Sequence, residues 1–138
     1  MSELIPITFH KVMQTRAYTV VIMEANEKRF PIYVDPSIGK AIQEELTENK
    51  SPRPQTHDLL NMILKGLDVK IKQIVISDLQ DTIYYARLFL EGPSKEEEAH
   101  VIEIDVRPSD CITLAIMNNS PVYCTQEVLD NTILVDEF

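Results

Sequence analysis

Three segments near the start of the chain, Ile5–Met13, Tyr18–Glu24 and Arg29–Val34, are rich in Ile, Val, Thr, Tyr and Phe and lie only a few residues apart. Side chains of these types fit a pleated, half-buried surface, so each segment reads as a strand. The links, near Gln14-Thr15 and at Ala25-Asn26-Glu27, are too short for a crossover, which takes about a dozen residues or more. The segments are therefore expected to form an antiparallel meander, on which the rest of the chain must pack.

The next elements alternate in period. At Asp35-Pro36-Ser37, Asp35 can cap a helix and Pro36 suits the first helical position, where its missing N–H costs nothing. Ile38, Ala41, Ile42 and Leu46 follow at helical spacing, and the helix is expected to end near Glu48-Asn49-Lys50. Ser51-Pro52-Arg53-Pro54-Gln55 cannot be helical, because Pro54 pushes Arg53 toward an extended conformation. Thr56 is then expected to cap a second helix with Asp58 in its first turn. Leu59, Leu60, Met62, Ile63, Leu64 and Leu67 make that helix apolar over most of its circumference, which predicts a central one. Val69–Ser77, Thr82–Glu91 and Val101–Val106 read as further strands, with Asp78–Asp81 a turn between the first two. Arg107-Pro108-Ser109-Asp110 opens a third helix, Cys111–Asn118. Val122–Cys124 is a short strand and Gln126–Leu129 a helical turn. Val34-Asp35-Pro36-Ser37 and Val106-Arg107-Pro108-Ser109 thus share one pattern of strand, proline and helix. The reading is a single α+β domain over residues 1–138 with about three main helices.

Composition narrows the function classes. The 138 residues carry a net charge of −9, which opposes a sequence-independent coat on a phosphate backbone but not a nuclease whose site carries a local cation or a metal. Glu96-Glu97-Glu98 and Glu44, Glu45 and Glu48 read as solvated faces. No apolar run approaches the ~20 residues of a membrane-spanning helix, and Met1–Pro6 lacks the basic flank and apolar stretch of a signal peptide. Cys111 and Cys124 are too few for a disulfide scaffold and read as buried packing residues. A cytoplasmic, reducing setting is expected, with no membrane partner.

There is no Gly-rich phosphate loop, no Gly-x-Ser-x-Gly elbow and no Cys/His cluster of zinc-site type. The polar residues that remain gather at two joins: Arg53, Thr56, His57 and Asp58 in one, Asp105, Arg107, Ser109 and Asp110 in the other. A helix N-terminus seats an anion through its free N–H groups and dipole. Arginine adds bidentate phosphate recognition, histidine transfers protons near neutrality, and Asp58, Asp105 and Asp110 would suit a divalent ion that activates water. His57, Asp58, Arg107 and Asp110 are accordingly the candidate catalytic residues, with Arg53, Thr56 and Ser109 as phosphate binders. The same residues are also ordinary helix-start chemistry, and Arg107 pairing with Asp58 or Asp110 would tie two helix ends together. On residue chemistry alone, a catalytic site and a structural lock stand as alternatives.

At these residues the chain resembles the bifunctional nuclease domain family. The resemblance lies in Pro52-Arg53-Pro54-Gln55-Thr56-His57-Asp58-Leu59, in Leu79-Gln80-Asp81 with Tyr85-Ala86, and in Asp105-Val106-Arg107-Pro108-Ser109-Asp110-Cys111. Pro31-Ile32-Tyr33-Val34, Pro121-Val122-Tyr123 and Glu127-Val128-Leu129 match as well. The resemblance implies a mixed α+β fold with a strongly bent sheet, a homodimer, and hydrolysis of DNA and RNA. Magnesium or manganese would be the assisting ion. Two departures stand out: Cys111 replaces the usual alanine, and Ile38 precedes Gly39 where many members have an acidic residue. The alternative function is a non-catalytic homodimeric regulatory or interaction domain in which the two joins are structural.

Overall fold

A computed structural model describes residues 3–14, 16–47, 56–81, 83–92 and 101–134. Seven strands form one mixed sheet: β1 (Leu4–Gln14), β2 (Thr19–Ala25), β3 (Lys28–Val34), β4 (Lys70–Gln80), β5 (Ile83–Glu91), β6 (Val101–Val106) and β7 (Val122–Thr125). Their order across the sheet is β3-β2-β1-β7-β4-β5-β6. The helices are α1 (Pro36–Thr47), α2 (Thr56–Gly66), α3 (Pro108–Asn118) and the short α4 (Gln126–Asn131).

The expected meander is present: β1 pairs antiparallel with β2, and β2 with β3. Asn26 and Glu27 both have positive φ, 50° and 65°. Two such central residues give the primed hairpin turn whose twist matches that of the strands. β1 divides its pairing. Leu4–Ile7 lie against β7, whereas Thr8–Gln14 lie against β2 with an irregularity between Phe9 and Lys11. One strand thus joins two halves of the sheet. β7 and β4 form the parallel pair. Because β6 is also parallel to β4 through β5, the path β6–α3–β7 is a crossover. It lays α3 across the sheet.

Cys111, Ile112, Thr113, Leu114 and Ala115 of α3 are all buried. Cys111, Ile112, Leu114 and Ala115 share a core with Val21, Phe30, Ile42, Ile74 and Ile76. α3 is therefore the central helix. The expectation for α2 is corrected: of its residues only Leu64 is buried, Leu59, Met62 and Ile63 are 48–58% exposed, and Leu67 just past its end is 64% exposed. The apolar arc of α2 is wider than the single flank it turns toward α3, so most of that arc faces outward. Periodicity reports which side chains favour burial and not what covers them.

α1 packs on α3 and on β1 and β2. Gly39 makes this approach possible. A Cβ there would lie 2.3 Å from Cγ2 of Thr19, whose side chain is buried. The expected turn at Asp78–Asp81 is shorter than its sequence implied. β4 continues to Gln80 past a bulge between Ile76 and Asp78, and the Asp78 carboxylate accepts the Leu79 N–H at 2.8 Å and the Gln80 Nε2–H at 2.6 Å. A turn-forming carboxylate has here stabilised a strand irregularity instead. At the far side, the hydroxyls of Tyr84 and Thr132 hydrogen-bond, joining β5 to the residue after α4.

Candidate functional site

Both proline joins form as their residues dictate. Pro36 opens α1 and the Asp35 carbonyl accepts the Gly39 N–H at 2.9 Å. Pro108 opens α3 and the Arg107 carbonyl accepts the Cys111 N–H at 3.1 Å. Arg107 occupies the capping position in an extended conformation without a side-chain cap. Asp110, in the first turn of α3, does not cap either. Its Oδ1 accepts a hydrogen bond from Nε2 of His57 at 2.9 Å, and its Oδ2 accepts one from Nε of Arg107 at 2.9 Å. A single carboxylate therefore ties the start of α2 to the start of α3 across 53 residues of sequence.

α2 begins at Thr56 itself, so the expected capping position falls one residue earlier, outside the described residues. The same applies to Arg53. His57 and Asp58 lie in adjacent first-turn positions about 100° apart around the helix. His57 turns toward α3, and Asp58 does not join it in the cleft lining.

The three linked side chains differ in exposure: His57 is 13% exposed, Asp110 23% and Arg107 63%. The cluster is nearly closed at its imidazole end and open at its guanidinium end. Burial opposes the charge on Asp110. The hydrogen bonds from Arg107 and His57, together with their charges, outweigh it and hold the carboxyl below the ordinary aspartate range. Conversely, the hydrogen bond and charge of Asp110 raise Arg107. Since the ionised carboxylate offers no proton, Nε2 of His57 must be the donor, so whenever the ring is neutral Nδ1 is the nitrogen without a proton.

His57, Asp110 and Arg107 stand at the edge of a cleft of about 630 Å³ between α1, α2, α3 and the β5–β6 end of the sheet. Thr56 lines it too. Its walls are aliphatic, among them Leu60, Leu64, Leu88, Ile104 and Leu114. Ser37, Ile38 and Ala41 close it from α1. The sequence reading did not place α1 in the site, although the repeated Val-x-Pro-Ser pattern was the signal that two similar joins lie side by side. The Arg107 guanidinium reaches 4.0 Å from Oδ2 of Asp35 at the other join. Ile38, which precedes Gly39, lines the cleft beside this join.

The remaining candidates fall elsewhere. Ser109 lines a neighbouring pocket on the other side of Arg107, and its carbonyl accepts the Thr113 hydroxyl at 2.8 Å. Asp105 is exposed on β6, paired in register with Arg87. Among the described residues no three His, Cys, Asp or Glu side chains are close enough to hold a metal ion. The expected trio Asp58, Asp105 and Asp110 is thus not gathered into one ligand set: Asp110 has both oxygens engaged, and the other two do not line the cleft. Cys111 and Cys124 are fully buried. Burial, then the charges of Asp110 and Asp105, push the Cys111 thiol up to about 12, and burial pushes Cys124 up to about 11. Both are packing residues in this structure. No described helix is long and apolar enough to cross a membrane.

Comparison with known proteins bears on the same segments. The family profile described as "Bifunctional nuclease domain" matches residues 20–137. An uncharacterized protein of Mycobacterium tuberculosis is 32% identical over 111 residues, covering 80% of this chain and 63% of that protein. "Bifunctional nuclease 1" of Oryza sativa subsp. japonica is 23% identical over 115 residues, covering 83% of this chain and 34% of the rice protein. "Bifunctional nuclease" of Oryza minuta matches to the same extent. The chain spans under two-thirds of the length of these relatives. The matched span runs from β2 past α4 and contains both joins, and on that footing the chain belongs to the bifunctional nuclease domain family.

Proposed function

We propose that this cleft is the active site of a nuclease that hydrolyses phosphodiester bonds in DNA, RNA or both. The observation that carries the reading is the convergence of His57, Asp110 and Arg107 at the edge of one cleft. Asp110 fixes the His57 tautomer in which Nδ1 accepts a proton. In the proposed step a water oxygen bonds to phosphorus while Nδ1 takes the water's proton. The bond from phosphorus to the leaving sugar oxygen breaks, and that oxygen takes a proton from solvent. Arg107, held through Nε, directs its terminal nitrogens to the phosphate oxygens and stabilises their developing charge. Thr56 adds a hydroxyl to the cleft. The names of the rice relatives agree with this reading.

Magnesium or manganese remains part of the proposal only as a condition to vary, since the described side chains do not form a metal cage and no step above passes through an ion. The test is hydrolysis of labelled single- and double-stranded DNA and RNA, with each ion and with chelator. Loss of a general base costs about 10²–10⁴-fold, and loss of a charge-stabilising donor about 10²–10³-fold. His57→Ala and Arg107→Ala should each fall by these factors. Activity that survives both substitutions would come from another site or a contaminant.

The near closure of the His57 end favours a second reading, a non-catalytic domain in which the His57–Asp110 pair locks α2 to α3. It predicts a large stability loss in His57→Ala and no cleavage by the wild type.

We also infer a homodimer through α2. Leu59, Met62, Ile63 and Leu67 form one exposed stripe at helical spacing. Asp58 and Lys65 flank it seven residues apart, so an antiparallel copy would set each Asp58 against a Lys65. This charge pattern supports a second copy of the chain as the occupant.

A further inference from the structure

The pocket on the far side of Arg107 contains a feature that the proposed cleavage step does not use. About 400 Å³ in volume, it is lined by Tyr33, Asp35, Tyr84, Arg107 and Ser109, among others. Tyr33, the last residue but one of β3, is 65% exposed on the face opposite the buried Phe30, Ile32 and Val34. Its ring meets that of Tyr18 edge to face, with centroids 5.4 Å apart and planes at 72°. Tyr18 is itself 45% exposed. The contact braces the Tyr33 ring, and an edge-to-face partner leaves a π-face uncovered. By contrast, no aromatic side chain among the described residues lines the 630 Å³ cleft.

We propose that Tyr33, braced by Tyr18, is a stacking platform for an unpaired base of a single-stranded nucleic acid whose neighbouring phosphate lies on Arg107. This inference rests on the nuclease reading of the adjacent cleft and adds the substrate class: single strands in preference to duplex. Stacking requires a base free of its own stack, so a duplex cannot use the platform without unpairing. It is also indifferent to sequence and to the 2′-hydroxyl, since every base has a π-face. A chain of net charge −9 gains little from diffuse attraction to phosphates. A base-directed contact that does not depend on net charge supplies the missing affinity.

The test is fluorescence anisotropy of the full chain with three labelled 20-nucleotide probes: a mixed-sequence single strand, its blunt duplex, and a single strand with abasic sites throughout. Probe integrity is checked on a gel after each titration. Wild type should prefer the base-bearing strand over both other probes by about tenfold or more. Tyr33→Ala should weaken single-strand binding by about five- to 100-fold, the range reported for one stacked base, and leave duplex binding unchanged. Tyr33→Phe should bind as wild type, which separates stacking from a folding defect. Equal binding of abasic and base-bearing strands, or wild-type affinity in Tyr33→Ala, would overturn the proposal. Cleavage unaffected by Tyr33→Ala alongside unchanged binding would remove the platform and leave the nuclease reading standing. Base-dependent binding by wild type without any cleavage would do the reverse.

Discussion

Replacing Asp110 with Ala removes the carboxylate that links the start of α2 to the start of α3 through His57, and the cost follows from the geometry. Two hydrogen bonds disappear. The bond from His57 is shielded, its partners being 13% and 23% exposed. A hydrogen bond to a charged group in such a setting contributes about 1.5–3 kcal/mol. The bond from Arg107 reaches a side chain 63% exposed, and ion pairs in contact with water contribute little. The loss should therefore be about 1.5–3 kcal/mol, almost all from the His57 side. For a chain of this size that is about 5–10 °C in melting temperature. Thermal unfolding followed by circular dichroism at pH 7 measures it. The pH dependence has a definite sign. The folded Asp110 carboxyl titrates below its ordinary value, so the unfolded chain takes up the proton first as pH falls. The contribution is complete above the unfolded value of about 3.9 and drains away as pH falls through the folded one. The gap between wild type and Asp110→Ala should be present at pH 7 and shrink below about pH 4. A melting temperature unchanged at pH 7, or a gap that persists undiminished in acid, would refute the reasoning.

Other outcomes follow from separate parts of the fold. Gly39→Ala forces a methyl group onto the buried Thr19 side chain and should destabilise the chain by about 1–3 kcal/mol; a melting curve matching wild type would show that α1 does not approach β2 this closely. Met62→Glu or Ile63→Glu should convert a dimer to monomer in sedimentation velocity with little change in melting temperature, and a monomeric wild type would remove the α2 interface. Both cysteines, buried with thiols raised to about 12 and about 11, should resist iodoacetamide at pH 8 in the native state and react on denaturation; rapid native labelling would show that the α3 core opens.

The strands were legible because their residue types and short links leave few alternatives. Val20–Met23 and Ile74–Ile76 read as strands and are buried in the sheet. The hairpin at Asn26-Glu27 and the proline openings of α1 and α3 were equally local. Centrality was not local. α2 has the broader apolar arc, yet α3 is the buried helix, because the β6–α3–β7 crossover carries it over the sheet. That path depends on strand order, which no single segment encodes. The site divides the same way. His57, Arg107 and Asp110 were identifiable from their chemistry, and the hydrogen bond across 53 residues became visible only with the fold. Asp58 and Asp105 have the chemistry of ligands but not the placement. Ser37 was passed over because a serine at a helix start has no chemistry of its own to flag, and Ile38 stood out only as a departure from the family pattern; both line the cleft where α1 closes it.

The proposed cleavage of phosphodiester bonds rests on His57, oriented by Asp110 and flanked by Arg107. The most direct measurement is the cleavage rate of a labelled single-stranded RNA across gel-filtration fractions of wild type and of His57→Ala prepared identically. Activity should follow the wild-type protein peak and fall at least about 100-fold in the variant. Equal activity in the two preparations, or activity eluting apart from the protein, would contradict it.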